Sequence, residues 1–376
     1  MIKRPAAVLA VSMLSVALSS CATPAPVPSD DVAGDAAQAP AADAPAAQAL
    51  LPKVPQPPER PVAPPAVTDP AIPRAQRIDA FVEYTATTYG VDRAQIRGVL
   101  AQAEKKQGII DAMNRPAEAV KPWHEYRQIF INDARINGGV AFYRANRAAL
   151  DQVAAETGVP AEVIVAIIGV ETSYGRVTGN YRVVDALYTL AFDYPKRAPF
   201  FAGELAQLFA LKQAEPQLDL LALKGSYAGA MGMGQFMPSS YRLWAKDGDG
   251  DGRRDLLTHL PDVFASIANY FVVHGWERGG PVVARATRDA GAEDFVPENW
   301  EPAYRLDELA ARGYRAQPGQ PTAEGATVLS LDGVAGKEYW LAYRNFYVIT
   351  RYNRSPMYAL AVHQLAQAIR AGAEGG

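Results

Sequence analysis

The run Val163-Ile-Val-Ala-Ile-Ile-Gly-Val170 carries no polar side chain, and Glu171-Thr-Ser-Tyr-Gly175 closes it. No other segment constrains the fold as strongly. Pro160 suits the first turn of a helix and Gly175 its end, so the segment reads as a buried helix that is apolar on every side. Glu171 then falls in the last turn. Partial burial and the negative end of the helix dipole both disfavour an ionised carboxylate, so its proton should be held to higher pH than on an exposed glutamate. Those are the conditions of a general acid. A glutamate pointing to solvent from a frayed helix end is compatible with the same residues.

The N-terminus adds a different kind of information. Met1-Ile-Lys-Arg4 is short and basic, and the apolar stretch that follows to Leu18 is too short to span a bilayer, which is the pattern of an export signal over residues 1–20. Leu18-Ser-Ser-Cys21 resembles a bacterial lipobox, in which the cysteine is acylated. Cys21 is the only cysteine, so a structural disulfide is impossible and lipid attachment is its natural use; a passive cysteine behind an ordinary cleaved signal is the alternative. Ala22 after it, by resemblance to the sorting rule of enterobacterial lipoproteins, favours the periplasmic side of the outer membrane. Residues 21–75 are Ala- and Pro-rich with few large apolar side chains and read as a tether, reaching roughly 40 Å as a flexible coil and up to ~160 Å if extended. Loss of Lys3 and Arg4 with the signal takes the formal charge from −3 to −5, which argues against a nucleic-acid partner.

Residues 76–372 are enough for a substantial core. Helical signals dominate. Asp92 can cap a helix bearing Ile96, Val99, Leu100 and Ala103, and Trp123 to Asn137 continues in helical manner. Pro199 opens a helix with Phe201, Leu205, Leu208 and Phe209 on it, and Val263, Phe264, Ile267, Tyr270 and Phe271 form another apolar face. Short strand-like runs occur at Ala326–Leu331 and Tyr339–Tyr352, predicting a small sheet at about 326–352. From Ser355 the helical spacing returns. The expected class is mainly α, with a small antiparallel sheet.

Ser226-Tyr-Ala-Gly-Ala-Met-Gly-Met-Gly-Gln-Phe-Met-Pro238 combines closely spaced glycines with Gln235 and a helix-opening proline. Such a loop lets backbone approach a ligand while an amide side chain projects into the site; a tight helix-packing loop has the same composition. Paired with Glu171-Thr-Ser-Tyr-Gly175, it resembles the signature of lysozyme-like transglycosylases. Phe192-Asp-Tyr-Pro195, Asn269-Tyr-Phe271, His274-Gly-Trp276 and Phe346-Tyr-Val-Ile-Thr-Arg-Tyr-Asn353 narrow the resemblance to the membrane-bound lytic murein transglycosylase B family, from Phe81 to Ile369. The resemblance implies a lysozyme-like helical core that cleaves the β-1,4 bond between N-acetylmuramic acid and N-acetylglucosamine in peptidoglycan strands, with one glutamate, leaving 1,6-anhydro ends. It assigns Ser226 and Gln235 as hydrogen-bonding partners of Glu171 and the N-acetyl group, Tyr270, Tyr352 and Asn353 to the cleft, and Tyr126 and Arg197 to outlying sugar and peptide contacts. Lys196 stands where the family commonly has arginine.

An ordinary glycosidase needs a second carboxylate. None neighbours Glu171 in sequence, although folding could bring Asp185 or Asp193 close. Asp247-Gly-Asp-Gly-Asp-Gly-Arg-Arg-Asp255 is a separate signal: Asp247, Asp249, Asp251 and Asp255 take positions one, three, five and nine of an EF-hand-like loop (247–258), with Gly252 at six and the Arg253 carbonyl at seven. Calcium is the natural ligand, and the resemblance makes it structural, so no cofactor is expected for catalysis. Thr258 replaces the bidentate acid at position twelve, with Asp262 as a substitute, and an unoccupied Asp-Gly turn is the alternative. His124, His259, His274 and His363 share no ligand spacing and read as packing or surface residues. Two other functions fit the same motifs: a muramidase that admits water, and a lipoprotein that only holds glycan. A pure binding cleft gains nothing from an acid that is costly to bury.

Overall fold

Local capping explains where many helices begin. In the computed structural model, which describes Val54, Pro58 and residues 61–115 and 121–375, there are fifteen α-helices among those residues. Asp92 accepts the Gln95 amide at 2.8 Å and opens Arg93–Leu100. Ser355 does the same for Pro356–Glu374. Trp123 to Asn137 is not continuous: Asn132 caps a second helix through the Arg135 amide, so Trp123–Phe130 and Asp133–Ala145 are separate.

Ala161–Thr172 is the central helix, with ten of its twelve residues buried. It packs against Asp133–Ala145, Arg147–Thr157, Leu260–Val273 and Pro356–Glu374. Ile164, Ile167 and Ile168 are fully buried, each stabilising the fold by roughly 1.5–3 kcal/mol relative to exposure. A second packed layer is built on Ala198–Ala214, which lies against Val183–Asp193 and Pro238–Trp244. There the buried Glu204 accepts both the Ser239 amide (2.9 Å) and hydroxyl (2.6 Å), satisfying the start of the Pro238–Trp244 helix.

The sheet has five antiparallel strands in the order Tyr304–Arg305, Gly325–Gly333, Gly336–Ala342, Val283–Arg288, Tyr314–Ala316. Both faces are covered. Alternation sends Val283, Leu329, Leu331, Trp340 and Ala342 into the helical body, and Ala284, Ala286, Val328 and Leu341 into a small core of their own with Leu309 and Tyr314. The excursion closes on itself, because the Tyr343 amide donates to the Val282 carbonyl at 3.0 Å. The run Tyr339–Tyr352 therefore divides: its strand ends at Ala342, and Arg344–Tyr352 is helical. Tyr347, Val348 and Ile349 are all buried there, so an apolar run too short to show its period reads the same way for strand and helix.

The folded part also begins earlier than residue 76. Val67 in the short helix Pro65–Thr68 is fully buried, and the Ala63 amide donates to the Pro199 carbonyl at 2.9 Å. Gly203 permits this approach, since a Cβ there would stand 2.3 Å from the Pro61 carbonyl oxygen. The signal and Cys21 lie outside the described residues. Among the described residues no single helix is long and apolar enough to cross a membrane.

Candidate active site

The central helix ends in a strained turn. Ser173 (φ 52°) and Tyr174 (φ 64°) are left-handed, and Gln235 (φ 52°) is the only other non-glycine residue of this kind among those described. Each costs on the order of 1–3 kcal/mol and needs surrounding structure to hold it. The Ser173 amide returns to Gly169 at 3.1 Å, the Tyr174 hydroxyl donates to the Arg135 carbonyl at 2.7 Å, and the Arg135 guanidinium donates to the Gly169 carbonyl. Thr172 joins this turn to the glycine-rich loop. Its hydroxyl shares one proton between the Ile168 (3.1 Å) and Met233 (3.0 Å) carbonyls and accepts the Gly175 amide (3.0 Å).

The loop is fixed from within. Ser226 Oγ accepts the Ala228 (3.3 Å) and Ala230 (3.1 Å) amides. Gln235 Nε2 donates to the Thr178 (3.1 Å) and Gly232 (2.9 Å) carbonyls. Tyr181–Arg182 pairs with Lys224–Gly225, tying the chain beyond the glutamate to the start of the loop. A cavity of about 380 Å³, lined by Thr178, Lys224, Gly232 and Thr258 among others, opens beside it.

Glu171 is densely surrounded yet keeps a partly accessible surface, as a group set in the floor of a cleft does. Its Oε1 accepts the hydroxyl of Tyr358 at 2.6 Å. Burial pushes the carboxyl up to about 7, against the opposing influence of that hydrogen bond. The Tyr358 hydroxyl, in turn, is held well above the usual phenol range by burial and by Glu171. Tyr352 feels the same charge, and its hydroxyl donates to the Gly234 carbonyl at 2.5 Å. The carboxylate, two tyrosines and the glycine-rich loop therefore meet at one point. Asp185 is occupied by Arg182 (2.7 Å) and the Glu104 amide (2.9 Å), and Asp193 by Arg74 (2.5 Å) and Lys105 (3.2 Å).

Other residues singled out from sequence fall differently. Ser226 makes no hydrogen bond to Glu171; its acceptor capacity closes the loop instead. Tyr270 is 4% exposed, donates to the Arg351 carbonyl at 2.6 Å, stacks on His274 at 3.9 Å and packs edge-on against Tyr352 (4.8 Å). Tyr126 is fully buried against Trp123 and Phe130 and presents no surface to a ligand. Arg197 lies over the rings of Phe200 and Phe201, at 4.7 and 4.9 Å. Asn353 follows Tyr352 and accepts the Ser355 amide at 3.1 Å. Sequence reasoning missed Tyr358 and Thr172. Tyr358 is 187 residues from Glu171, and Thr172 has the sequence context of any threonine at a helix end.

The 247–258 loop brings oxygens of Asp247, Asp249 and Asp251 within 4.8 Å of one another. Asp247 accepts the amides of Gly250 (2.7 Å) and Gly252 (2.8 Å), which hold its carboxyl below the ordinary range. Asp255 accepts the Leu257 (2.8 Å) and Thr258 (3.0 Å) amides and is turned inward. Asp262, 1% exposed, clasps the loop at both ends through the Gly248 (2.7 Å) and Asp255 (2.6 Å) amides. His259 is not an isolated surface residue: its Nε2 lies 3.0 Å from Asp249. Three converging carboxylates fit a hard divalent cation.

Comparison with known proteins agrees with this geometry. Residues 74–367 match the model of the transglycosylase SLT domain. The chain is 42% identical over 306 residues to membrane-bound lytic murein transglycosylase B of Escherichia coli K12, covering 79% of this chain and 82% of that protein. The crystal structure of soluble lytic transglycosylase SltB1 from Pseudomonas aeruginosa is 49% identical, with a TM-score of 0.74, covering 80% of this chain and 100% of that one. The structure of E. coli lytic transglycosylase Slt35 in complex with calcium is 39% identical, with a TM-score of 0.71, covering 84% of this chain and 97% of that one. A protonatable glutamate that accepts a tyrosine hydroxyl beside a glycine-rich loop is thus found in a chain that belongs to the SLT transglycosylase family.

Proposed function

We propose that the protein is a peptidoglycan lytic transglycosylase in which Glu171 acts first as acid and then as base. The observation that carries this reading is the Glu171 carboxyl, which accepts the Tyr358 hydroxyl at 2.6 Å and is pushed up to about 7 by burial, while Asp185 and Asp193 are engaged in ion pairs of their own. Hydrolysis by the usual routes needs a partner carboxylate ~5–10 Å away to attack or to activate water. Here the substrate supplies the nucleophile. Glu171 gives its proton to the glycosidic oxygen as the bond from C1 of N-acetylmuramic acid breaks, and the 2-acetamido group stabilises the resulting cation. The Glu171 carboxylate then takes the proton of the C6 hydroxyl, whose oxygen bonds to C1. The products are a free 4-hydroxyl on N-acetylglucosamine and a 1,6-anhydro ring, with the acid restored. An intramolecular hydroxyl competes well with water because its orientation is already fixed.

Tyr358 fits the interval between the two proton transfers, since its hydroxyl stabilises the carboxylate that exists only then. Ser226, Gln235, Tyr352 and Asn353 are assigned to the sugar and its N-acetyl group, and Arg197 to an outlying contact. Asp247, Asp249 and Asp251, with the Arg253 carbonyl and Asp255, would hold calcium, which supplies loop stability; no step of the reaction uses it. Cys21 is assigned to a lipid anchor on the periplasmic side of the outer membrane, so Cys21→Ser should leave the protein in the soluble fraction.

Mass spectrometry of muropeptides released from purified sacculi tests the central claim. Products lighter by one water than hydrolysis products are expected. Reducing muramic ends alone would select a muramidase, and no release at all would select a glycan-holding lipoprotein.

A further inference from the structure

Thr172 is 1% exposed and sits immediately after Glu171. Its hydroxyl ties the end of the central helix directly to the glycine-rich loop. From its hydroxyl a hydrogen bond runs to the Met233 carbonyl (3.0 Å), and the Met233 amide donates to the Leu256 carbonyl (3.2 Å). Contact at that crossing is backbone to backbone, for a Cβ on Gly232 would stand 2.1 Å from the Leu256 oxygen. The Leu256 amide is held by the Tyr241 hydroxyl at 3.1 Å, and the preceding Asp255 amide by the buried Asp262 carboxylate at 2.6 Å. An unbroken series therefore leads from the clasp of the 247–258 loop, through Leu256 and Met233, to the residue that follows the acid.

We propose that Thr172 is a positioning residue that couples the 247–258 loop to Glu171, so that the order of the loop sets the placement of the acid. The inference rests on the reading of Glu171 given above. Physically, Thr172 must do two things at once: its accepted bond from Gly175 holds the left-handed turn, and its donated bond fixes that turn to the glycine-rich loop. A valine keeps the branched shape and loses both, leaving the half-buried Met233 carbonyl and Gly175 amide without this partner. The helix end then relaxes toward solvent, and the acid loses part of the burial that holds its proton.

Thr172→Val, Thr172→Ser and Asp262→Asn, alone and combined in the full chain, are assayed on soluble glycan strands across pH, with melting temperatures followed in parallel. Thr172→Val should lower kcat on the order of tenfold, the worth of one buried hydrogen bond, with KM within about twofold. Its basic limb should move to lower pH, and Thr172→Ser should restore both. Loss of stability alone lowers the melting temperature and leaves the limb in place. Asp262→Asn should shift the limb in the same direction in the wild-type background and have little further effect beside Thr172→Val. An unmoved limb in Thr172→Val, or multiplicative effects of the two substitutions, overturns the coupling. If Thr172→Val does not fold, Thr172→Ala replaces it and is held to the same outcomes. Glu171→Gln is run alongside: activity that survives it refutes the assignment of the acid, whereas a dead Glu171→Gln beside an unchanged Thr172→Val refutes only the coupling.

Discussion

Glu171 and Asp247 are carboxylic acids in opposite service. Glu171 has one hydrogen-bond donor and is closely packed about by protein, and burial pushes its carboxyl up to about 7. Asp247 is half-exposed with the amides of Gly252, Gly250 and Asp251 turned onto it, and it ionises more readily than a free aspartate. The number of donors facing a carboxyl, weighed against the water removed from it, thus decides between proton carrier and cation ligand. Neighbouring charge is secondary in both places. Three of the four aspartates in the loop still bring their oxygens together, because backbone dipoles and solvent offset their repulsion.

Glu171→Gln should have the greatest consequence, and it touches one side of this contrast only. The substitution preserves shape and removes the transferable proton, so cleavage of sacculi should fall by at least ~10²–10⁴ while the circular dichroism spectrum stays native. Retention of more than a tenth of wild-type turnover would move the chemistry to another carboxyl. On the other side, calcium should raise the melting temperature without being required for turnover. The stabilisation grows with the logarithm of free calcium, reaching ~2.7 kcal/mol at a hundredfold excess over the dissociation constant. Equal melting temperatures in EGTA, magnesium and calcium would make the loop an ordinary turn.

A subtler outcome follows from proton linkage. The folded-state value of Glu171 lies above its unfolded value, so the native protein binds more protons, and stability falls as pH rises from about 4.5 to about 7. Glu171→Gln escapes that penalty. The variant should therefore be more stable than wild type at neutral pH, by on the order of 1–3 kcal/mol, and the gain should vanish below about pH 4.5. A constant difference across pH would show that Glu171 is not buried in solution. Tyr358→Phe should do least. Tyr358 lowers the Glu171 value against the larger push of burial, so its removal should move the basic limb of the pH–rate profile upward and cost several-fold in rate. A downward shift would contradict the hydrogen bond.

The helical class is legible in the sequence because the central helix announces itself: ten buried residues in twelve leave no ambiguity of period. Glu171 is legible because one charge at the end of such a run is conspicuous. The limits are equally physical. Arg344–Tyr352 reads as strand-like from its residues, since a short segment of aromatic and branched side chains has no distinguishing periodicity. Residues 61–68 read as tether because proline-rich composition conceals a docked segment, whose contacts with Pro199 and Gly203 lie on a helix distant in sequence. Tyr126 and Tyr270 are singled out by motif membership alone, and nothing in the sequence shows that the fold buries their rings in packing. Tyr358 lies beyond reach, because nothing local marks a tyrosine that will meet a carboxyl 187 residues away.

The bond between Tyr343 and Val282 closes the sheet excursion at its base. In terms of modularity, residues 283–342 are an insertion whose two ends already touch, the arrangement that tolerates exchange or loss of an inserted piece with least disturbance to chain continuity. The boundary is asymmetric, however. Leu329, Leu331 and Trp340 are shared with the helical body, so excision would join the chain cleanly and strip an apolar surface bare. A smaller cassette could take the place of this one only by carrying its own cover for that patch, and the difficulty of inventing such a cover is a physical reason for the two parts to be inherited together.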